Sequence, residues 1–327
     1  MNRRETPELP PELQRTLRKA RRLEWLTIAY LISAVILLAL VLGNSQAMKT
    51  AWAEDLLSLI PPIAFLIAMR LSVRPPTERF PYGFHRATSI AHLCSAVALF
   101  AMGVYLLIEA ILKLLTAEYP TIGSVELFGQ TIWLGWLMLP ALAWSAVPAV
   151  FLGRAKISLA EELHNKVLYA DAKMNKADWL TASAAMVGVV GIGFGLWWAD
   201  AVAAGLISLD IAKDGFSNLR RAVVDLMDQT PTTIDEDDAD PLREKLASML
   251  EDLDWVDKVE VRLREEGQVY FGEAFVVPSN ETNIMENIED ALKRARDLDW
   301  RIYDLALTPV RDLPQIGELT TEEEQIG

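Results

Sequence analysis

Residues 25–43 read WLTIAYLISAVILLALVLG, nineteen residues without a charge. As a helix at 1.5 Å per residue they reach about 28 Å, close to the thickness of a bilayer's hydrocarbon core. Three further charge-free runs follow: Ala87–Ile108 (22 residues), Leu127–Gly153 (27) and Trp179–Ala199 (21). Two weaker candidates carry charge. Thr50–Met69 contains Glu54 and Asp55, and the segment from about 200 to 219 contains Asp210, Lys213 and Asp214. The predicted count is six spans. The first run reads as a span and not a secretory signal, because no small-residue cleavage site follows it and more spans come after.

Composition agrees. The 327 residues are 52% hydrophobic, with a mean hydropathy of +0.20, unusual for a soluble domain of this size. One cysteine excludes a disulfide framework within the chain and any Cys-rich zinc module. Three histidines leave little room for a His-rich metal site. Charge divides the chain. Residues 235–327 hold 26 acids against 10 bases, and the remainder holds 19 against 21. So acidic a tail repels phosphates, which excludes nucleic acid as a partner.

Lysine and arginine set the orientation in the lipid bilayer. Arg15, Arg18, Lys19, Arg21 and Arg22 precede the first span; Arg70, Arg74, Arg79 and Arg86 follow the second; Arg154, Lys156 and Lys166 lie between the fourth and fifth; Arg220 and Arg221 follow the sixth. The alternate loops are nearly free of basic residues. The expectation is a multi-pass protein of the cell's inner (plasma) membrane with both termini in the cytoplasm. Its predicted parts are a basic tail (1–22), a six-span domain (23–228), an acidic solvated linker (229–240), a cytosolic domain (241–312) and an acidic tail (313–327).

The cytosolic domain has its own periodicities. Leu242, Leu246, Met249, Leu250 and Leu253 recur at helical spacing, whereas Val259, Val261 and Leu263 alternate with Glu260 and Arg262 as in a strand. Glu265-Glu266-Gly267 reads as a turn, Gln268–Val277 as a second strand, Asn283–Leu298 as a second helix and Trp300–Leu307 as a closing strand. The order α-β-β-α-β is that of an α+β, ferredoxin-like domain. About 75 residues make a marginal core, which favours a homodimer.

A charge at membrane depth costs about 2.5–3.5 kcal/mol on insertion scales, so each one calls for a function. Glu54, Asp55 and Ser58 lie in the second span, with Glu54 and Ser58 on one helical face. Asp171, Met174 and Asp178 fall at i, i+3 and i+7, one stripe entering the fifth. Two such helices face to face make an oxygen-rich cation site. Asp210 in the sixth span and His85 in the loop after the second are secondary candidates. Pro61-Pro62 frees backbone carbonyls and bends the second span. His92 and Cys94 read as packed within the third span, His164 as a surface histidine, and Gly191 and Gly195 as small residues at a helix contact. With no hydrolase triad and no phosphate loop, neither an enzyme nor an ATP-driven pump is expected, and no cofactor.

These fragments, in this order, resemble the cation diffusion facilitator family over nearly the whole chain. Arg79-Phe80-Pro81-Tyr82-Gly83-Phe84-His85-Arg86 resembles its Pro-Tyr-Gly-His-type loop. Ala170-Asp171-Ala172 with Asp178 resembles its Ala-Asp-x-x-His-x-x-x-Asp segment, Trp198-Ala199-Asp200 its Trp-x-Asp, and Leu226-Met227-Asp228-Gln229-Thr230-Pro231 its Leu-Leu-Asp-x-x-Pro. The resemblance implies efflux of a divalent cation by proton antiport, through a site between spans two and five. The chain departs from the pattern in three places. Met174 stands at the span-five His position, Phe84 stands at the loop His position with His85 one residue later, and residues 235–327 contain no His or Cys, so the family's regulatory zinc ligands are missing. Lys173 and Lys176 flank the site and could neutralise a buried acid without metal. Carboxylate and hydroxyl donors lean toward Mn(II) or Mg(II), with Fe(II) and Zn(II) left open. The alternative is a membrane sensor or scaffold with a degenerate site.

Overall fold

The computed structural model describes residues 10–41, 46–116, 123–127, 130–196, 198–235, 238–280 and 282–314. The first nine residues of the predicted basic tail and the acidic tail beyond 314 lie outside them. The chain divides into two compact units, one ending at Met227 and one running from Asp228.

The first unit is helical: α1 (Pro11–Val41), α2 (Gln46–Leu57), α3 (Ile60–Ser72), α4 (Arg86–Thr116), α5 (Gly135–Leu163), α6 (Lys166–Gly193) and α7 (Ala199–Leu226). Among the described residues, four stretches are long and apolar enough to cross a membrane: Pro11–Val41, Glu54–Ser72, Arg86–Thr116 and Gly135–Leu163. The count of six is therefore met at four by that measure. The fifth and sixth candidates are present as 28-residue helices, but Lys166, Asp171, Lys173, Lys176 and Asp178 lower the apolarity of α6, and Asp210, Lys213, Asp214, Arg220 and Arg221 that of α7. Packing explains why α6 tolerates most of them. It touches α2, α3, α4, α5 and α7, and it is buried on most of its circumference, so Lys166, Asp171 and Asp178 meet neighbouring helices, while Lys176 is exposed.

Three local features differ from the sequence reading. The charge-free run from Leu127 does not begin as helix. A hairpin of β1 (Ser124–Leu127) and β2 (Gln130–Trp133) precedes α5; absence of charge says nothing about conformation, and β-branched Val125, Thr131 and Ile132 favour extension. The basic loop expected around Arg154 and Lys156 is the last part of α5. The whole connection to α6 is His164 and Asn165, with His164 buried at φ 45° and the Asn165 side chain accepting from the Leu168 N–H at 2.9 Å. Gly195, at φ +83°, ends α6 in the left-handed conformation and makes no helix contact. Gly191 is buried in α6, and close glycine contacts between helices are found between α4 and α7. A Cβ on Gly103 would come within 2.5 Å of Ala212 backbone, and one on Gly215 within 2.6 Å of Phe100 backbone.

The second span, expected to bend at Pro61-Pro62, is broken into two helices. Helix α2 ends at Leu57, a turn covers Ser58 and Leu59, and α3 begins with the prolines in its first turn. Prolines lack the N–H groups that would otherwise bond the carbonyls of Leu57 and Ser58.

The second unit has the expected order: α8 (Leu242–Glu251), β3 (Val256–Glu266), β4 (Val269–Pro278), α9 (Ile284–Leu298) and β5 (Ile302–Pro309). The sheet is open and three-stranded, β3-β4-β5, with β3–β4 antiparallel and β4–β5 parallel. A ferredoxin-like fold has a further leading strand, which is not present among the described residues. The hairpin turn is Gly267-Gln268. Glu265 and Glu266 continue β3, with Glu266 paired to Val269, because only Gly267 (φ +77°) must be left-handed in a two-residue connection. Leu242, Leu246 and Leu250 meet Val259, Val261, Tyr270, Ala274 and Ile302 in one core. The segment read as a solvated linker closes on itself. Thr232 bridges Ala239, and the Asp240 N–H donates to the Pro231 carbonyl.

Candidate metal centre

The break in the second span places its polar residues against α6. Glu54, Asp55, Ser58 and Asp178 are all buried. The Ser58 hydroxyl donates to Asp178 Oδ1 at 2.5 Å, joining the break to α6. Asp55 is held from α5, where the Ser145 hydroxyl lies 3.1 and 3.2 Å from its two carboxylate oxygens. The Tyr30 hydroxyl of α1 donates to the Ser145 carbonyl. Glu54 Oε1 is buried without a hydrogen-bond donor. The centre thus offers carboxylates and hydroxyls. Among the described residues, no three His, Cys, Asp or Glu side chains gather as a ready metal cluster.

The rest of the predicted stripe is divided. Asp171 is fully buried but faces the Lys156 ammonium of α5, which also lies 3.2 Å from Glu24 Oε2 of α1. Met174 packs among Ala98, Leu99, Met102, Leu106 and Ile211. Lys173 and Lys176 face Asp210 and Asp214 of α7 across a narrow cleft, away from Asp178. Lys173 also sits over the Tyr169 ring, 5.4 Å from its centroid. Asp210 is exposed on α7 and apart from the Glu54–Asp178 group. His85 is half-buried beside Gly83, and burial holds its imidazole down to about 4, leaving it neutral near pH 7. His92 is buried with Nδ1 4.0 Å from Asp225, while Cys94 is exposed.

Sequence reading missed Glu24, Tyr30, Ser145 and Lys156. The signal was present in α5, where Leu142, Ser145, Ala149, Gly153, Lys156, Ala160 and Leu163 recur at steps of three and four and are all buried. A serine and a lysine on a core-facing stripe mark polar contacts.

Comparison with known proteins gives a match to the cation efflux transmembrane domain over residues 25–227. The chain is 29% identical over 201 residues to the manganese efflux system protein MneS of Bacillus subtilis, covering 61% of this chain and 65% of MneS, just under two thirds of that protein. It is 26% identical over 266 residues to MneP of the same organism, also a manganese efflux system protein, covering 78% and 82%. Over 124 residues it is 31% identical to the bovine SLC30A4, a probable proton-coupled zinc antiporter, covering 36% and 29%.

Proposed function

The chain belongs to the cation efflux, or cation diffusion facilitator, family, and from that premise we propose that it exports a divalent metal cation, Mn(II) in preference to Zn(II), in exchange for protons. The observation that carries this reading is the Ser58–Asp178 hydrogen bond across the broken second span, beside the buried Glu54 oxygen that has no donor. Glu54, Asp55, Ser58 and Asp178 are the proposed ligand set. Asp171 is left out because Lys156 holds it, and Met174 because aliphatic side chains surround it. An all-oxygen set suits a hard cation, and Zn(II) favours imidazole and thiolate. Two relatives are named for manganese efflux, which supports the same choice. A departing cation leaves carboxylates that cannot stay charged and unpaired in the bundle, so protons are the natural exchange ion.

In this reading α6 and α7 also cross the bilayer, giving six spans with both termini in the cytoplasm, the unit from Asp228 cytosolic, and the working form a homodimer in the inner membrane. The alternative, a non-transporting sensor or scaffold, is favoured by the lack of three gathered ligands among the described residues. One experiment separates them. Purified protein in proteoliposomes should move Mn(II) against a counterflow of protons. No Mn(II)-dependent proton movement from correctly folded protein would leave the scaffold reading standing.

A further inference from the structure

A second buried polar group lies apart from the proposed ligands. Glu24 (α1), Lys156 (α5) and Asp171 (α6) are each 0% exposed, and Asn175, one turn beyond Asp171 on the same face, is 2% exposed. Lys156 Nζ bonds Asp171 and lies 3.2 Å from Glu24 Oε2. The Asn175 amide N–H donates to the Asp171 carbonyl at 2.9 Å, and its Cβ packs at Gly153, one turn before Lys156. Glu24 Oε1, Asp171 Oδ1 and Asn175 Oδ1 are buried oxygens without a hydrogen-bond donor. Carboxylates are the donors that hard divalent cations take, and here a single ammonium on a flexible stem is held between two of them.

We infer that this is a second cation centre, closed to cargo because the Lys156 ammonium stands where a divalent ion would sit. Lys156 thereby limits the membrane unit to one cargo ion per chain. A tethered cation also offsets part of the charge of two buried carboxylates through every stage of transport, so it ties α1, α5 and α6 together while the Glu54–Asp178 group empties and fills. The limit of one ion rests on the proposed ligand set; the existence of the second centre does not.

The test therefore removes the first site. In full-length protein carrying Asp178→Asn, bound Mn(II) per chain is counted by loss of the free-ion EPR signal. Adding Lys156→Met should raise the count by one, and Mn(II) should raise the melting temperature of that double variant. Adding Glu24→Gln and Asp171→Asn as well should return the count to that of Asp178→Asn alone. A Lys156→Met protein that gains no ion, or that stays unfolded in millimolar Mn(II), overturns the inference. Failure of the transport proposal is read elsewhere, as Mn(II) flux surviving Asp178→Ala.

Discussion

Asp178 and Asp240 are both buried aspartates, one in each unit, and their surroundings differ in kind. Asp240 is fully answered by its own chain: the Tyr270 hydroxyl donates at 2.8 Å, the Leu242 N–H at 2.8 Å and Arg301 Nη1 at 2.5 Å. Asp178 has the Ser58 hydroxyl, its neighbour Glu54 keeps a bare oxygen, and no lysine or arginine is paired with either among the described contacts. A carboxylate given a permanent guanidinium belongs to the architecture. One given only a neutral hydroxyl can exchange that partner for a cation. The difference predicts opposite consequences for the same substitution.

The largest effect should follow removal of Asp178. Asp178→Ala should lower Mn(II) flux at least about 100-fold, the scale of a few kcal/mol, while the protein still folds and elutes as the native form does. Glu54→Ala should come close to it, and Ser58→Ala should cost less, because a hydroxyl is the weaker donor. Matched proteoliposomes and size-exclusion chromatography measure both halves of the statement. Flux unchanged in Asp178→Ala would erase the contrast with Asp240.

Asp240→Ala should reverse the pattern and act on stability. It removes the buried acceptor shared by the Tyr270 hydroxyl, the Leu242 N–H and Arg301 Nη1, and hydrogen bonds to charged groups are worth about 1.5–3 kcal/mol each. A fragment starting at Asp228 should lose about 3 kcal/mol in urea unfolding. A loss under about 0.5 kcal/mol would mean that the network around Asp240 is replaced by solvent at no cost.

How much of this was legible beforehand depended on whether a residue's neighbours lay on its own element. The leucines of α8 and the alternating valines of β3 announce their structure through spacing alone, and they are the buried residues. The prolines announced a bend in the second span, though not that the helix would end at Leu57. The partners of Asp171 were hidden. Glu24 stands in a basic stretch that reads as membrane-edge, and Lys156 stands near Arg154 in what reads as a loop. Only the extension of α5 to Leu163 turns Lys156 inward. The flanking Lys173 and Lys176 were nearer in sequence to Asp178, yet helical geometry carries them round to α7. Asp240 was equally hidden, since Tyr270 and Arg301 come to it across the sheet.

A smaller effect tests the metal preference that follows from an all-oxygen centre. Met174→His puts imidazole one turn before Asp178 on the same helix. Zn(II) gains more from an added imidazole than Mn(II) does, so the ratio of Zn(II) to Mn(II) transport should rise about tenfold, equivalent to roughly 1.4 kcal/mol. Competition flux assays read this ratio directly. Because position 174 is lined by aliphatic side chains, the histidine should also lower stability in chelator and recover it in Zn(II). No change in the ratio would mean that a histidine held among those side chains does not reach the Glu54–Asp178 group.

The smallest expected effect concerns acid. Burial alone would raise the Asp240 carboxyl, but the bonds from Tyr270, Leu242 and Arg301 outweigh it and hold the group below the usual carboxylate range. In the unfolded chain an aspartate titrates near about 3.9. As pH falls, the unfolded state therefore binds the proton first, and folding stability drops. The contribution is complete above about pH 5, is lost progressively as pH falls below about 4 and through the folded value, and is flat beneath it. The partners do not titrate in that window. Burial pushes the Tyr270 phenol further above its ordinary value, and Arg301, despite its burial, is held above its own by Asp299, Tyr270 and Asp240. The gap in urea midpoint between the native fragment and Asp240→Asn should thus be constant from pH 8 to 5 and narrow toward pH 3. A gap that stays constant to pH 3 would show that the charge on Asp240 contributes nothing beyond its shape. In that case the distinction between an answered and an unanswered carboxylate would rest on the membrane unit alone.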